Sequence, residues 1–188
     1  MNKKAQAFTI VELLIVIVVI AILAAISIAA YTNIQQRAKN TTIINAASQS
    51  LKMIEAYVAE YGVYPGTESP LNACLTAQSG CAGSTGNTIS TNSTLSTELA
   101  KVGTLPQSVP NSGENRNGIL YQYNSSYFVN GESQPVVVLY WLEGENKNCG
   151  LATQTNSQGS ILSTTGYTIG NDGGKTRCKV SVPGPAHS

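Results

Sequence analysis

Residues 1–30 read MNKKAQAFTIVELLIVIVVIAILAAISIAA, and this stretch sets the architecture of the whole protein. A short basic leader with Lys3 and Lys4 precedes an apolar run from Leu13 to Ala30. Glu12 is the one ionisable residue at the entrance of that run. The rest of the chain is polar in character, so the sequence predicts a water-exposed body attached to an apolar stem.

The apolar run is long enough to cross a membrane. As a helix, its 18 residues span ~27 Å, close to the ~30 Å of bilayer hydrocarbon. Twelve Leu, Ile or Val residues between Leu13 and Ile28 contribute roughly −5 kcal/mol to insertion, against at most ~3 kcal/mol lost at Glu12. A secretory signal peptide cut near residues 27–29 is an alternative, but its apolar core would be only about 7–15 residues long.

The segment KKAQAFTIVELLIVIVVIAILAAISIAAY, residues 3–31, strongly resembles the N-terminus of type IV prepilins and the related pseudopilins. In that family a dedicated peptidase cuts just before a Phe, the new amino terminus is N-methylated, and a glutamate follows four residues later. The resemblance places the cut between Ala7 and Phe8, the N-methylation on Phe8 and the family glutamate at Glu12.

Two features differ from the usual pattern of this family. Ala7 stands before the cut, where Gly is usual, and Ala21 and Ala29 occupy the part of the stem where many members carry a Gly and then a Pro. Because Gly and Pro are the residues that weaken or kink a helix, we expect this stem to remain helical.

Glu12 has two predicted roles. Cleavage would create a charged amine at Phe8 beside an apolar column, and a lone charge in such surroundings is costly. The Glu12 carboxylate of a neighbouring subunit would offset that cost with a charge-assisted contact and would give stacked stems a fixed axial offset. The alternative is that Glu12 caps the start of its own helix, where the helix dipole favours a negative charge.

The stem continues into a longer helix. Neither Pro nor Gly occurs between Phe8 and Tyr61, so the sequence predicts one helix over this range, ended by Gly62 and Pro65. Its second half, residues 31–61, has a single apolar face that is predicted to dock on the body. The positions on that face are Ile43, Ala46, Ala47, Ser50, Leu51, Ile54, Val58 and Tyr61.

The remaining residues predict a small antiparallel sheet. The β-favouring runs are residues 118–123, 126–129, 135–142 and 175–182, with a turn at Asn130–Gly131 and the third run as the central strand. Residues 66–117 are predicted as a polar loop that holds a short helix within residues 93–103. The predicted fold class is α+β, with a long N-terminal helix packed on the sheet in a pilin-like arrangement.

Four cysteines, Cys74, Cys81, Cys149 and Cys178, follow the apolar run. Their even number predicts two disulfides, with three pairings open. A zinc site is disfavoured because there is no C-x2-C pair and because His187 is the only histidine. In pilins a C-terminal disulfide pins a variable loop to the sheet, and the resemblance implies this role for Cys149 and Cys178.

No catalytic, nucleotide-binding, cofactor or metal site is predicted, so the chain is not expected to be an enzyme. Residues 170–176, GNDGGKT, resemble a phosphate-binding loop, but Ile169 stands where its first Gly is required. Lys175, Arg177 and Lys179 alternate along the last predicted strand and would share one face. They indicate either a solvated edge strand or a weak contact to phosphate or an anionic surface, as in DNA uptake or adhesion.

The predicted function is that of a structural subunit of a type IV pilus or a related filament. The resemblance divides the chain into a leader (1–7), an apolar stem (8–30), the amphipathic half of the helix (31–61) and a periplasmic or extracellular body (62–188). The alternatives are a membrane-anchored binding or adhesion module that never polymerises, and a pseudopilin of a competence or type II secretion system.

The resemblance also implies where the protein resides and what it meets. The chain would be a single-pass protein of the bacterial cytoplasmic membrane, with its N-terminus in the cytoplasm, until it is extracted into an extracellular fibre. Its partners would be other copies of itself or other pilins, the prepilin peptidase and methylase, and an assembly platform with its ATPase. DNA or a surface ligand is a further option.

Overall fold

The computed structural model describes residues 9–66, 71–76, 81–83, 86–107, 109–110, 115–125, 128–129, 132–151 and 168–184. The chain divides into two compact units, Met1–Ala38 and Lys39–Ser188. The predicted leader, the turn at Asn130–Gly131 and His187 lie outside the described residues.

The predicted long helix is confirmed. Helix α1 covers Ile10–Tyr61, 52 residues without a Gly or Pro. It ends at Gly62, whose φ of +68° is costly for residues with a Cβ, and whose N–H donates to the carbonyl of Val58 at 2.9 Å. The helix therefore ends where the sequence changes from helix-forming residues to YGVYPG.

In the described part of the chain, nine strands and a second helix follow α1. They are β1 (Leu71–Cys74), β2 (Cys81–Ala82), β3 (Thr88–Ile89), α2 (Ser93–Leu99), β4 (Ile119–Tyr123), β5 (Phe128–Val129), β6 (Glu132–Ser133), β7 (Val136–Glu143), β8 (Thr168–Asp172) and β9 (Lys175–Ser181). Five of these strands form one sheet in the order β1-β4-β7-β9-β8, and every neighbouring pair is antiparallel. The α+β class is confirmed, and β7 is the central strand, as predicted.

The main core lies between the second half of α1 and one face of this sheet, called the inner face here. Side chains alternate along a strand, so every second residue of β4, β7 and β9 points to the helix. The buried helix residues are Ile43, Ala46, Ala47, Ser50, Met53, Ile54, Tyr57 and Val58. The sheet supplies Ile119, Tyr121, Val136, Val138, Tyr140, Leu142, Cys178 and Val180.

Three residues of the helix differ from the predicted apolar face. Tyr61 is 42% exposed and stacks on Tyr57, with ring centroids 4.5 Å apart and Lys101 Nζ over its ring. Met53 and Tyr57 were not predicted on the face, but both are buried. The buried face is therefore wider than the predicted stripe because the sheet and α2 both pack against it.

The short predicted helix is confirmed as α2. Asn92 caps it, since its side-chain oxygen accepts the N–H of Leu95 at 2.9 Å. Leu95 and Leu99 are buried in the main core, one helical turn apart. Residues 66–117 therefore contribute to the core, although their polar composition predicted mostly loop.

The last strand is not an edge strand, so that prediction is wrong. Strand β9 lies between β7 and β8, and β8 forms that edge of the sheet. Lys175 on β9 is only 8% exposed; its ammonium donates to the carbonyls of Asn115 and Arg116 and lies 3.6 Å from a Glu143 oxygen. The sequence missed β8 because Thr168–Asp172 contains Gly, Asn and Asp, which disfavour strands, and it forms by pairing with β9 across a two-glycine turn.

The opposite, outer face of the sheet carries a second, smaller cluster. Strands β2 and β3 pair with each other, and Cys81 and Ile89 from them pack on Leu120, Leu139 and Trp141. Gly118 allows this contact, because a Cβ there would overlap Cys81 Sγ and lie 2.8 Å from Cys81 Cβ. The β2–β3 hairpin therefore covers part of the outer face.

The structure pairs the cysteines as Cys74–Cys81 and Cys149–Cys178. The first bridge joins β1 to β2 and holds the hairpin on the outer face. The second joins the segment after β7 to β9 and lies buried in the main core.

Candidate functional site

The start of α1 is built as a reciprocal cap between Thr9 and Glu12. The backbone N–H and the hydroxyl of Thr9 donate to Glu12 Oε2 at 2.8 and 2.7 Å, and the Glu12 N–H donates to Thr9 Oγ1 at 3.3 Å. This is the capping-box arrangement, which satisfies backbone donors that a helix start otherwise leaves without partners. Thr9 was not predicted as part of the site, although its spacing to Glu12 is the signal for such a box.

Both hydrogen bonds that Thr9 donates end on one oxygen of the Glu12 carboxylate. An ionised carboxylate has about four acceptor positions on its two oxygens. Capping therefore leaves Glu12 with capacity to accept from a further donor, and the two predicted roles of this residue are chemically compatible.

Below this cap, α1 presents large apolar side chains on all sides. The exposed fractions run from 83% at Ile10 to 48% at Val19, and Ile28 is 66% exposed. Within the described residues, no other part of the chain buries the apolar segment of this helix, which is long and apolar enough to cross a membrane. A surface of this kind in water would be strongly unfavourable, so it requires lipid or protein around it.

The polar groups inside this apolar segment are satisfied locally. The Ser27 hydroxyl donates to the carbonyl of Leu23 at 2.7 Å, and the backbone bonds are those of the helix itself. Local satisfaction of this type is what a hydrocarbon environment demands, since it offers no competing partners. The segment is therefore suited both to a bilayer and to a dry filament interior.

The other predicted site residues fall into three groups. Ala7 and Phe8, with the expected cut and N-methylation, lie outside the described residues. The four cysteines form the two disulfides given above. Of the three alternating cations, Lys175 is buried, while Arg177 and Lys179 line a cleft on the outer face of the sheet.

The segment that resembled a phosphate-binding loop is a β-hairpin turn. Gly173 and Gly174 connect β8 to β9, so a strand follows where a phosphate-binding loop would lead into a helix. Asp172 in this turn is held by Arg116, with Nε and Oδ1 2.6 Å apart. Within the described residues no group of three or more His, Cys, Asp or Glu side chains is placed to hold a metal ion.

Comparison with known proteins points to the same N-terminal segment. The family described as "Prokaryotic N-terminal methylation motif" matches residues 2–28. A fimbrial protein of Neisseria meningitidis serogroup B is 30% identical over 78 residues, 42% of this chain and 46% of the relative. The type IV major pilin protein PilE of Neisseria gonorrhoeae is 34% identical over 65 residues, 35% of this chain and 39% of the relative.

The chain thus spans less than half the length of the curated relatives it matches. No solved structure matches it significantly. The methylation motif, the two relatives and the α+β architecture support a likeness to type IV pilins, and the apolar helix fits a membrane-anchored protein.

Proposed function

We propose that this type IV pilin-like chain is a structural, non-enzymatic subunit of a type IV pilus or a closely related filament. The observation that carries the proposal is the apolar stem, whose large side chains from Ile10 to Ile28 are exposed in the single chain and which begins at the Thr9–Glu12 cap. Such a stem requires a partner surface of its own kind once it leaves lipid. Other copies of the same stem provide that surface.

The precursor would first reside in the cytoplasmic membrane through this stem. Lys3 and Lys4 would remain in the cytoplasm, following the preference of basic residues for that side, and the body would lie outside. A prepilin peptidase would cut between Ala7 and Phe8, and the new terminus would be N-methylated. An assembly platform and its ATPase would supply the work of extraction into an extracellular fibre.

In the filament, Glu12 would act as a charge partner for the amine of a neighbouring Phe8. The carboxylate has acceptor capacity beyond its two bonds from Thr9, and a charge pair in an apolar interior is strongly favoured over two lone charges. Each added subunit would therefore settle at the same axial offset. The cap orders the carboxylate in the free chain, so little conformational freedom is lost on pairing.

Substitutions at Glu12 separate its two roles. Glu12→Gln keeps an oxygen that accepts from Thr9 but removes the charge, whereas Glu12→Ala removes both. We expect each variant to be inserted and processed normally but to reach sheared filaments at about a tenth of the parent level or less. Glu60→Gln, an exposed glutamate at the other end of α1, is the matched control and should assemble normally.

The measurement is immunoblotting of membrane and sheared-filament fractions, with mass spectrometry of the membrane form. A mature chain that begins at Phe8 with a methylated amine supports the proposed processing; an intact leader, or a start near Ala30, contradicts it. If Glu12→Gln assembles normally while Glu12→Ala fails, Glu12 acts as a cap alone. A processed parent protein that never enters filaments would instead indicate a membrane-anchored binding module.

A further inference from the structure

The outer face of the sheet contains a cleft of 360 Å³ that the filament role does not use. Strand register assembles it, because Trp141 lies directly across from Arg177, and Leu139 lies between Leu120 and Lys179. The β2–β3 hairpin forms the opposite wall. A volume of this size lies within the range of small-molecule sites, about 300–1,000 Å³.

The floor of the cleft is apolar and fixed. Leu120, Leu139 and Trp141 are each 5% exposed or less, and the Trp141 Nε1–H donates to Asp172 Oδ2 at 3.3 Å. The hairpin wall is tied to β1 by the Cys74–Cys81 disulfide and therefore cannot easily swing away. These three side chains are therefore covered by their neighbours, and they form a rigid base beneath the polar rim of the cleft.

The rim carries two cations that are two residues apart on β9. Arg177 and Lys179 point to the same face, and both line the cleft. The Asp172 carboxylate lies 3.9 Å from Arg177 but is held more closely by Arg116, at 2.6 Å. Burial and the neighbouring Arg177 charge lower the pKa of Lys179, so an anion between the two cations would be favoured.

The remaining rim is made of side-chain amides. Gln122 Nε2 donates to Asn72 Oδ1 at 2.9 Å, and both residues line the cleft. In the described part of the protein, Gln122 Oε1 and Arg177 Nε are enclosed polar atoms without a hydrogen-bond partner. The rim therefore has an acceptor and a charged donor that small side-chain rotations would bring to a ligand.

The geometry points to a binding site for a carboxylated sugar, such as a uronic acid. The carboxylate would lie between Arg177 and Lys179, and hydroxyl groups of the ring would donate to the Gln122 amide. A DNA phosphate backbone is the poorer fit, because it brings negative charge but has no hydroxyl donor for Gln122. The site is independent of polymerisation, so it goes beyond the proposed filament role.

The test is a titration of the full chain in a detergent that has no sugar headgroup. Trp141 is the only tryptophan of the protein, so intrinsic fluorescence reports on the cleft directly. We expect a saturable change with glucuronate, with Kd on the order of 0.1–1 mM for a ligand of this size. Glucose, which differs by lacking the carboxylate, should bind at least about tenfold more weakly.

Three variants locate the site. Arg177→Gln removes the charged donor, and Gln122→Glu keeps the side-chain length while placing a negative charge in the cleft; each should weaken glucuronate binding about tenfold or more. Lys52→Gln removes an exposed lysine of α1 and should leave binding unchanged. If Arg177→Gln lowers the unfolding temperature markedly, its weaker binding could reflect unfolding, and the binding affinity of Gln122→Glu is then the test of the site.

Several outcomes would overturn the assignment. They are the absence of a saturable signal up to about 10 mM glucuronate, a Kd far above the expected range, equal affinity for glucose, and unchanged binding in both cleft variants. Inorganic phosphate or a short single-stranded DNA that binds as tightly as glucuronate would show a general anion site instead. None of these results bears on filament assembly, which the Glu12 variants test separately.

Discussion

At the scale of single residues, three buried tyrosines use their hydroxyl protons in the same way. Tyr64 donates to the carbonyl of Val182 at 3.1 Å, Tyr140 donates to the carbonyl of Cys149 at 2.6 Å, and Tyr121 donates to the carbonyl of Pro65. Burial raises the pKa of Tyr64 to about 12 and raises those of Tyr121 and Tyr140 as well. Only the neutral phenol can make these bonds.

These shifts predict a loss of stability in alkali. The folded pKa values lie above the ordinary value near 10, so the tyrosine contribution is fully present below pH 10 and is lost as the pH rises toward 12. In that window only the unfolded chain releases these protons, and each such group lowers the free energy of unfolding by about 1.4 kcal/mol per pH unit.

Denaturant titrations at several pH values between 9 and 12 measure this slope. Tyr64→Phe should reduce the pH dependence of the free energy of unfolding between pH 9 and 12 by the equivalent of about one proton. At pH 8 it should lower the free energy of unfolding by roughly 1–2 kcal/mol, since the Val182 carbonyl loses its donor. A variant whose pH dependence equals that of the parent would show that Tyr64 does not contribute.

At the scale of elements, the two disulfides tie different parts of the sheet. Cys74–Cys81 closes a loop of sequence separation 7 and holds the β2–β3 hairpin, whereas Cys149–Cys178 closes a separation of 29 and reaches into the main core. Constraint of the unfolded chain grows with the logarithm of the loop length. The second bridge should therefore contribute more to stability than the first.

Paired alanine substitutions test this ranking. We expect Cys149→Ala with Cys178→Ala to lower the free energy of unfolding by about 3.5 kcal/mol, and Cys74→Ala with Cys81→Ala by about 2.5 kcal/mol. Guanidinium unfolding of each double variant supplies the measurement. Reduction of both disulfides in the parent should lower its free energy of unfolding by about the sum of the two losses. A larger loss from the shorter loop would mean that the hairpin contributes packing beyond loop closure.

At the scale of the whole molecule, the two units have opposite surfaces. The described large apolar side chains of the unit Met1–Ala38 are exposed, whereas Lys39–Ser188 contains both buried clusters, from Ile43 to Val182. A domain with its own core needs no other unit to fold. The body should thus be separable from the stem.

We expect a chain that begins at Lys39 to be soluble and monomeric, and to unfold cooperatively with the midpoint of the full chain. Size-exclusion chromatography and denaturant unfolding provide the measurement. Ile54→Ala in the shortened chain should cost about 2–5 kcal/mol, because Ile54 is fully buried against the sheet. An aggregated or non-cooperative product would show that the body depends on the first 38 residues.

The sequence by itself determined the long helix, its end at Gly62, the α+β class and the central strand. These features follow from local rules: a helix without Gly or Pro, an apolar period of three to four residues, and one strongly β-favouring run. The apolar stem was also evident from the sequence, because a long apolar run that follows a single carboxylate is recognised without knowledge of tertiary contacts.

The features that depend on strand pairing across the sheet were visible only in the tertiary structure. Strand β8 exists because β9 offers it hydrogen bonds, Lys175 is buried because Glu143 and two carbonyls surround it, and the cleft beside Trp141 exists because three strands align in register. Those residues are far apart in the chain, and the conformational preference of short polar segments is too weak to predict which strands they pair with. Side-chain periodicity thus predicted which faces are apolar, whereas long-range register placed the charges and the cavity.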